Sequence, residues 1–421
     1  MRGNVGPFPG AGPGDSSSPD PLGKTTGRRG ALFAGRGSSG EGEPAGARAY
    51  GHLQQRPTTP SGRPPAIGPS SRRRSSATVG LPLRDLVEAQ EIPWEALAGR
   101  TLAVDGYNAV YQFLATIRQR DGQLFTDPAG RVTSHLMGVF YRTTSLLGEG
   151  VLPVWVFDGR PPDRKAGTIR QRVEMKEKAE AAYQEALAAG DLETARRKAA
   201  QTSRLTRPMV DELVELLGTL GVPTVQAPGE GEAQAAAMAA QGAVWGAASE
   251  DYDSLLFGAP RLVRGLAARA RGGASPGAQL IDREALLARH GISADELILI
   301  GIVVGTDFND GAAGYGPKKA LKLVQQHLGF GATLDRVGID RAEGEAVAEI
   351  FRHPTVAEAR PPPFGPVNED AVLRLLVDGH AFSEARVKGA VARARTRPKP
   401  ARSPTEAKGH QTLLEAFGGT R

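Results

Sequence analysis

The sequence contains no cysteine, few aromatic residues and no long apolar run. Without cysteine there can be no disulfides, thiolate metal sites or cysteine nucleophiles, which suits a reducing compartment. No apolar stretch reaches the roughly 18 residues of a membrane span, and the N-terminus lacks the apolar core of a secretory signal. Although aromatic residues make up only 5% of the chain, 40% of its residues are hydrophobic. We therefore expect a sizeable core and no membrane partner.

The formal charge of +6 is unevenly distributed along the chain. Residues 1–78 hold 11 Lys and Arg against 4 Asp and Glu, which leaves the remainder close to neutral, at −1. The overall charge is therefore no evidence that the folded part binds nucleic acid. Only a local cluster of basic residues could provide such evidence. Residues 1–78 are rich in Gly, Pro, Ser and Arg without hydrophobic periodicity, so we predict a disordered extension.

Three short apolar runs each lead into an acidic residue. They are "LAVDGYNAV" (Leu102–Val110), "LPVWVFDGR" (Leu152–Arg160) and "AVWGAASED" (Ala243–Asp251). Helical stretches such as Ser134–Leu147 and Pro208–Leu220 separate them. Strands that alternate with helices predict an α/β fold with a mostly parallel central sheet flanked by helices. The functional crevice of such a sheet lies at the carboxyl ends of its strands, where these acids fall.

Seven acidic residues stand beside apolar segments. Any one of them could be a simple cap or turn residue, because an acid in a first helical turn is stabilised by the helix dipole. Glu230 and Glu232 are two positions apart, so at least one must precede the helix if both face the same site. The set predicted to converge is Asp105, Asp158, Glu230, Glu232, Asp251, Asp253 and Asp307.

Converging carboxylates need cations, because like charges in a cleft raise each other's pKa. Mg²⁺ and Mn²⁺ prefer oxygen ligands. Two such ions about 4 Å apart form a clamp used for phosphodiester cleavage. The sequence therefore predicts two Mg²⁺ per subunit, with Mn²⁺ as a possible substitute.

Two further segments have a local charge pattern. Residues 164–207 hold 11 basic and 6 acidic residues and predict two helices that are polar nearly all round. On charge alone they form either a solvated hairpin, which is favoured, or the lining of a charged passage. In residues 296–325, "GYGPKKA" opens a helix and resembles the loop of helix-hairpin-helix DNA-binding elements, where backbone N–H groups meet phosphate.

Six blocks together resemble the signature motifs of the flap endonucleases, most closely the archaeal members. They are "VDGYNAVYQFL", "TSHLMGVFYRT", "VFDGRPPDRKAG", "APGEGEAQAA", "SEDYDSLLFG" and "GTDFNDGAAGYGPKKAL". The resemblance implies a PIN-like 5′ nuclease core over residues 79–395, with a helical arch at about 164–207 and a helix-hairpin-helix element at about 296–325. It also implies a monomer that cleaves 5′ flaps and 5′ ends of branched DNA during replication and repair.

The resemblance also implies roles for individual residues. The seven acids would be the metal ligands, with Asp105, Asp158, Glu230 and Asp251 also named as catalytic. Lys165 and Arg172 would contact the scissile phosphate from the base of the arch, and Tyr111 would stack on the base at the junction. The hairpin residues that would grip the downstream duplex are Gly314, Gly316, Lys318 and Lys319.

The same resemblance also implies features of the N-terminal and C-terminal segments. Family members begin with Met-Gly before a "DL" helix, and "TVGLPLRDLV" has Val79 in place of that Met. We therefore expect translation to start at residue 79 and to leave Gly80 as the mature N-terminus; the rival is a genuine extension or targeting peptide. In the tail, residues 396–421, the residues Gln411, Leu414 and Phe417 resemble a motif that binds the sliding clamp, although Gly418 replaces its second aromatic residue.

Two alternatives to flap cleavage stay open. One is a related 5′ exonuclease or bubble-cutting repair nuclease, and the other is a DNA-junction-binding scaffold without catalysis. We expect the protein in the cytoplasm or nucleoid of a prokaryote, or in the nucleus of a eukaryote.

Overall fold

The computed structural model describes residues 83–159, 166–266, 277–358 and 360–396. Within these ranges the side chains of residues 166–175, 192, 196 and 197 are not described. Seven strands form one sheet in the order β1-β7-β6-β5-β2-β3-β4. The strands are β1 (Gln90–Ile92), β2 (Thr101–Asp105), β3 (Leu152–Phe157), β4 (Thr224–Gln226), β5 (Gly246–Ala248), β6 (Arg261–Arg264) and β7 (Ala278–Asp282).

The predicted mostly parallel sheet is confirmed. Strands β6, β5, β2, β3 and β4 pair in parallel, while β7 runs antiparallel to both β6 and β1. The chain passes from β2 outward through β3 and β4 and then returns to β5 on the other side of β2. This reversal creates a topological switch between β2 and β5, which is where open α/β sheets bind ligands.

Helices cover both faces of the sheet. The described helices are α1 (Gly106–Thr116), α2 (Ser134–Gly148), α3 (Ala166–Ala188), α4 (Leu192–Ala199), α5 (Arg207–Thr219), α6 (Gly231–Ala240), α7 (Asp253–Leu256), α8 (Arg283–His290), α9 (Ala294–Val304), α10 (Pro317–Val324), α11 (Phe330–Val337), α12 (Arg341–Arg352), α13 (Glu369–Leu373) and α14 (Glu384–Arg395). None of them is long and apolar enough to cross a membrane.

The side chains of β2 alternate between two large buried clusters. Leu102 and Val104 belong to the cluster that includes α1, α2, α5, α13 and α14. Ala103 belongs to the cluster that includes helices α6 to α12. A strand with apolar contacts on both faces is typical of a parallel sheet covered by helices on each side. The polar side chains of β2, Thr101 and Asp105, are confined to its two ends.

The basic segment forms two helices, α3 and α4, joined at a turn where Gly190 has φ of 71°. Asp191 Oδ1 accepts the backbone N–H of Thr194 at 3.0 Å and so caps the second helix. The expectation that these helices are polar nearly all round is wrong in part. Tyr183, Ala186 and Ala195 are buried with Ala199 in a small cluster of their own. Alanine side chains are small, so they let the two helices approach closely. Because alanine contributes little to a hydropathy pattern, the sequence did not predict that these helices pack against each other.

Candidate active site

The carboxylate of Asp105 lies at the switch between β2 and β5. Asp105 ends β2 and precedes α1, and its Oδ1 accepts the backbone N–H of Asn108 at 3.0 Å. Its Oδ2 accepts the hydroxyl of Ser249 at 3.2 Å. Since Val104 pairs with Ala248 in the sheet, the parallel register brings the next residues of both strands together. Only 6% of Asp105 is exposed, so the carboxylate is held largely away from bulk water.

Asp158 follows β3 and contacts the turn that carries Glu230. Asp158 Oδ1 accepts the backbone N–H of Gly231 at 2.8 Å. The turn that carries Glu230 is fixed further because Gly159 donates its N–H to Gly229 O at 2.7 Å. Glu230 has an extended backbone and precedes α6. This agrees with the expectation that one of the two glutamates lies outside the helix.

Glu232 lies in the first turn of α6 and contacts the start of α7. Its Oε1 accepts both the backbone N–H of Ser254 at 2.8 Å and the hydroxyl of Ser254 at 3.0 Å. Asp253 is the first residue of α7 and is 3% exposed. The two acids are therefore brought next to each other by the packing of α6 against α7.

The three acids of "SEDYDSLLFG" have different environments. Glu250 Oε1 accepts the backbone N–H of Gly265 at 2.7 Å, and its Oε2 lies 3.7 Å from Arg264 Nη2. Asp251 Oδ1 accepts the backbone N–H of Tyr252 at 2.7 Å. Glu250 is thus engaged by the neighbouring strand β6, while Asp251 and Asp253 remain with the buried acids.

Electrostatics show which carboxylates are neighbours. The pKa of Asp105 is raised from 3.8 to about 7, chiefly by burial and then by the negative charge of Asp158, with a smaller contribution from Asp251. A raised carboxyl pKa is the expected result when like charges share a desolvated cleft. The acids that follow β2, β3 and β5 are therefore near enough for their charges to interact.

Asp307 comes from a separate turn. It is half-buried in the turn between α9 and α10, where the Thr306 hydroxyl donates to Asn309 Oδ1 at 2.9 Å. The neighbouring Phe308 contacts Phe351 at a ring separation of 5.4 Å, and Phe351 contacts Phe257 at 4.8 Å. Phe257 follows α7 directly, so aromatic packing links this turn to the helix that begins at Asp253.

The donor set suits a hard divalent cation. Carboxylate oxygens are the ligands that Mg²⁺ and Mn²⁺ prefer, and a cation would offset the repulsion that raises the pKa of Asp105. In the described parts of the chain, no three acidic or histidine side chains are already grouped closely enough to hold a metal ion. Four of the carboxylates are held instead by hydrogen-bond donors of the protein, namely Asp105, Asp158, Glu232 and Asp251.

The predicted arch residues are only partly described. Lys165 lies outside the described ranges, and the side chain of Arg172, within α3, is not described. Tyr111 is 36% exposed on α1, and Lys176 Nζ of α3 lies 4.8 Å from the centre of its ring. A lysine over an aromatic face is a favourable cation–π contact. Tyr111 therefore lies at the junction of the sheet domain with the helical pair.

The predicted hairpin loop leads into α10. Gly314 has φ of 80°, a conformation that favours glycine, and Gly316 precedes the first turn of the helix. Lys319 Nζ donates to Gly314 O at 3.0 Å, and Lys318 Nζ lies 3.8 Å from Asp85 Oδ2. Both lysines are exposed at a helix N-terminus, a combination that suits phosphate.

Three residues near the acids were missed by sequence reasoning. Ser249 contacts Asp105, and Asn108 Oδ1 accepts the backbone N–H of Glu250 at 3.4 Å. The pKa of Tyr107 is raised by burial and by the charge of Asp158. Each lies inside a quoted motif, but an uncharged polar residue beside an acid has no distinctive sequence signal. The predicted residues Gly80, Gln411, Leu414 and Phe417 lie outside the described ranges.

Comparison with known proteins agrees with this geometry. The XPG N-terminal domain matches residues 83–179, and the XPG I-region matches residues 221–307. The flap endonuclease 1 of Aeropyrum pernix is 45% identical over 330 residues, covering 75% of this chain and 94% of that protein. The flap endonuclease 1 of Methanocella arvoryzae is 44% identical over 319 residues, covering 73% of this chain and 93% of that protein.

Solved structures show the same relationship. The flap endonuclease-1 of Methanococcus jannaschii superposes with a TM-score of 0.61 at 39% identity, covering 75% of this chain and 98% of that one. The catalytic core of Rad2 in complex with DNA substrate shares the fold, with a TM-score of 0.56 at 23% identity, covering 73% of this chain and 96% of that one. From the extent and identity of these matches, the chain belongs to the flap endonuclease family.

Proposed function

We propose that this protein is a structure-specific nuclease that cuts branched DNA at the base of a single-stranded 5′ flap and also degrades 5′ ends. This activity would serve the maturation of lagging-strand fragments and DNA repair. The observation that carries the proposal is that Asp105, Asp158 and Asp251 follow three neighbouring strands at one edge of the sheet, where Ser249 bridges Asp105 to the backbone N–H of Asp251. Family membership narrows the chemistry of such an acidic site to DNA hydrolysis.

The seven acids named above would hold two Mg²⁺ ions, with Mn²⁺ as a possible substitute. Ions bound in this way supply an activated water and stabilise the leaving oxygen of a phosphodiester. The protein's own contribution is to fix the carboxylates before substrate arrives. The contacts of Asp158 with Gly231 and of Glu232 with Ser254 support this part of the proposal.

Other residues would position the DNA. Lys165 and Arg172 would hold the scissile phosphate, and Tyr111 would stack on the base at the junction. The basic helices α3 and α4 would guide the single strand, as a positively charged groove does for single-stranded nucleic acid. Gly314, Gly316, Lys318 and Lys319 would hold the duplex through its phosphates. Since phosphates carry no base identity, cleavage should be indifferent to flap sequence and steeply salt-dependent.

The decisive assay uses a 5′-flap duplex with Mg²⁺, with and without a chelator, and compares Asp251→Asn with Glu250→Gln. Asp251→Asn should lower cleavage by more than about 100-fold, the upper limit for losing an outer-shell partner of a metal, while leaving flap binding largely intact. Glu250→Gln should cleave like the wild type, because Glu250 is engaged by Arg264 and Gly265 and an amide oxygen can still accept the Gly265 N–H. If Asp251→Asn cleaves as fast as Glu250→Gln and the wild type, Asp251 is not part of the active site.

The same assay separates the alternatives when blunt, gapped and bubble substrates are included. A preference for bubbles would indicate a bubble-cutting repair nuclease. Tight binding of the flap substrate by the wild-type protein, without any cleavage, would indicate a junction-binding scaffold.

We also propose that the tail binds a sliding clamp through Gln411, Leu414 and Phe417. Because Gly418 replaces an aromatic anchor, the contact would be weaker than that of a complete motif. Tethering through the tail would still raise the effective concentration of the nuclease at the clamp. Calorimetric titration of a peptide spanning residues 396–421 with the clamp is the direct test.

A further inference from the structure

Ser249 occupies the gap between two of the acids. It follows β5 directly, and the pairing of Val104 with Ala248 places it opposite Asp105. Only 5% of Ser249 is exposed. Water therefore competes little with the partners of its hydroxyl group, and those partners are defined by the protein itself.

The hydroxyl of Ser249 joins Asp105 to Asp251. Ser249 Oγ accepts the backbone N–H of Asp251 at 3.1 Å and lies 3.2 Å from Asp105 Oδ2. An amide nitrogen can only donate, and an ionised carboxylate can only accept. When Asp105 is ionised, as cation binding requires, the single hydroxyl proton of Ser249 is therefore directed to Asp105.

This bridge completes the restraint of Asp105. The other oxygen of that carboxylate, Oδ1, accepts the backbone N–H of Asn108, so each oxygen has one donor. The bridge also spans two chain segments that lie 144 residues apart in the sequence. Ser249 can therefore couple the orientation of one acid to the position of the turn that bears the other.

We infer that Ser249 is a positioning residue that sets the relative placement of Asp105 and Asp251 for a divalent cation and for catalysis. This inference rests on the proposed function of the acidic site. Outer-shell partners that orient ligands typically contribute 10–100-fold to metal affinity or activity. The competing possibility is a purely local role, in which the hydroxyl only accepts the Asp251 N–H and stabilises the turn after β5.

The test compares Ser249→Thr, which keeps the hydroxyl, with Ser249→Val. Valine has nearly the same shape as threonine but lacks the hydroxyl. Four quantities are measured on the full chain. Two are the melting temperature with a chelator and its increase on titration with Mn²⁺ in the absence of DNA. The other two are the single-turnover rate and the Kd on a 5′-flap duplex. Ser249→Ala serves as a second variant without a hydroxyl in case the Val variant does not fold.

We expect Ser249→Thr to resemble the wild type. Ser249→Val and Ser249→Ala should keep the flap Kd, yet require more Mn²⁺ for stabilisation and cleave about 10- to 100-fold more slowly. Each should also lower the melting temperature with a chelator, because the buried N–H of Asp251 loses its acceptor. Unchanged Mn²⁺ stabilisation in Ser249→Val and Ser249→Ala would overturn the inference, as would a Thr variant as impaired as the Val variant. The two proposals can fail separately. If Mn²⁺ stabilises the wild type more than Ser249→Val and Ser249→Ala, but the wild type cleaves no flap, the inference is supported and the proposed function is refuted.

Discussion

Gly231 donates its backbone N–H to Asp158 from a position between two glutamates of the site. A Cβ atom at this residue would lie 2.7 Å from Asp158 Oδ1 and 3.2 Å from Val156 O. The glycine is therefore required by a close approach of the chain to a carboxylate rather than by an unusual φ. The residue between Glu230 and Glu232 must be glycine, because any larger residue would collide with Asp158.

Gly231→Ala should displace Asp158 and lower flap cleavage by about 10- to 100-fold, the usual cost of disturbing a residue that orients a metal ligand. Gly218→Ala in α5 is the matched control, because a Cβ there would have no heavy atom within 4 Å apart from its chain neighbours and the backbone of its own helix. Cleavage rates of the two variants at saturating Mg²⁺ make the comparison. Wild-type activity of Gly231→Ala would show that the position of Asp158 is unimportant.

The difference between Glu250 and Asp251 also belongs to the residue scale. Adjacent acids look alike in the sequence, although the set of seven predicted to converge includes Asp251 and leaves out Glu250. Physically the difference depends on Arg264 and Gly265, which belong to the next strand and its end. No local pattern around Glu250 predicts that contact.

At the scale of elements, the helical pair α3 and α4 packs separately from the sheet core. Its buried cluster consists of small side chains and Tyr183, and neither of the two large clusters includes any side chain of the pair that the structure describes. Changes within this cluster should therefore alter the hairpin with little effect on the main core.

Ala186→Asp would bury an unpaired carboxylate in this cluster and should destabilise the hairpin by about 3 kcal/mol. We expect slower cleavage of single-stranded flaps and faster limited proteolysis within residues 166–207, while the main melting transition is retained. Ala181→Asp is the control, since Ala181 is exposed on the same helix. Equal proteolysis of the two variants would argue against a packed hairpin.

At the scale of the whole molecule, the acidic site lowers the stability of the fold. The pKa of Asp105 is raised in the folded state, to about 7, by burial and by its acidic neighbours. Between pH 3.8 and about 7 the folded state therefore binds more protons than the unfolded state, and the stability contributed at this site falls as pH rises. Above about pH 7 the loss is complete.

Asp105→Asn should therefore stabilise the chelated protein, and the gain should grow between pH 5 and pH 7.5. Asp127→Asn is the contrasting control. Burial would raise the pKa of Asp127, but hydrogen bonds from Arg131 and His380 outweigh burial and lower it. That variant should lose stability at both pH values, because the lowered pKa keeps Asp127 ionised throughout this range. Urea denaturation at both pH values measures the differences, and a pH-independent effect of Asp105→Asn would contradict the pKa assignment.

The sequence by itself determined the alternation of strands and helices and the placement of acids at strand ends, because apolar runs that end in a charged residue indicate where burial stops. It also determined that two helices follow β3, since glycine and aspartate at the turn are local signals. Only the tertiary structure decided which acids share a site and what holds them. Those relations depend on the register between strands such as β2 and β5, whose contacting residues lie 144 positions apart, and a buried hydroxyl between two acids acquires its role only when that register forms.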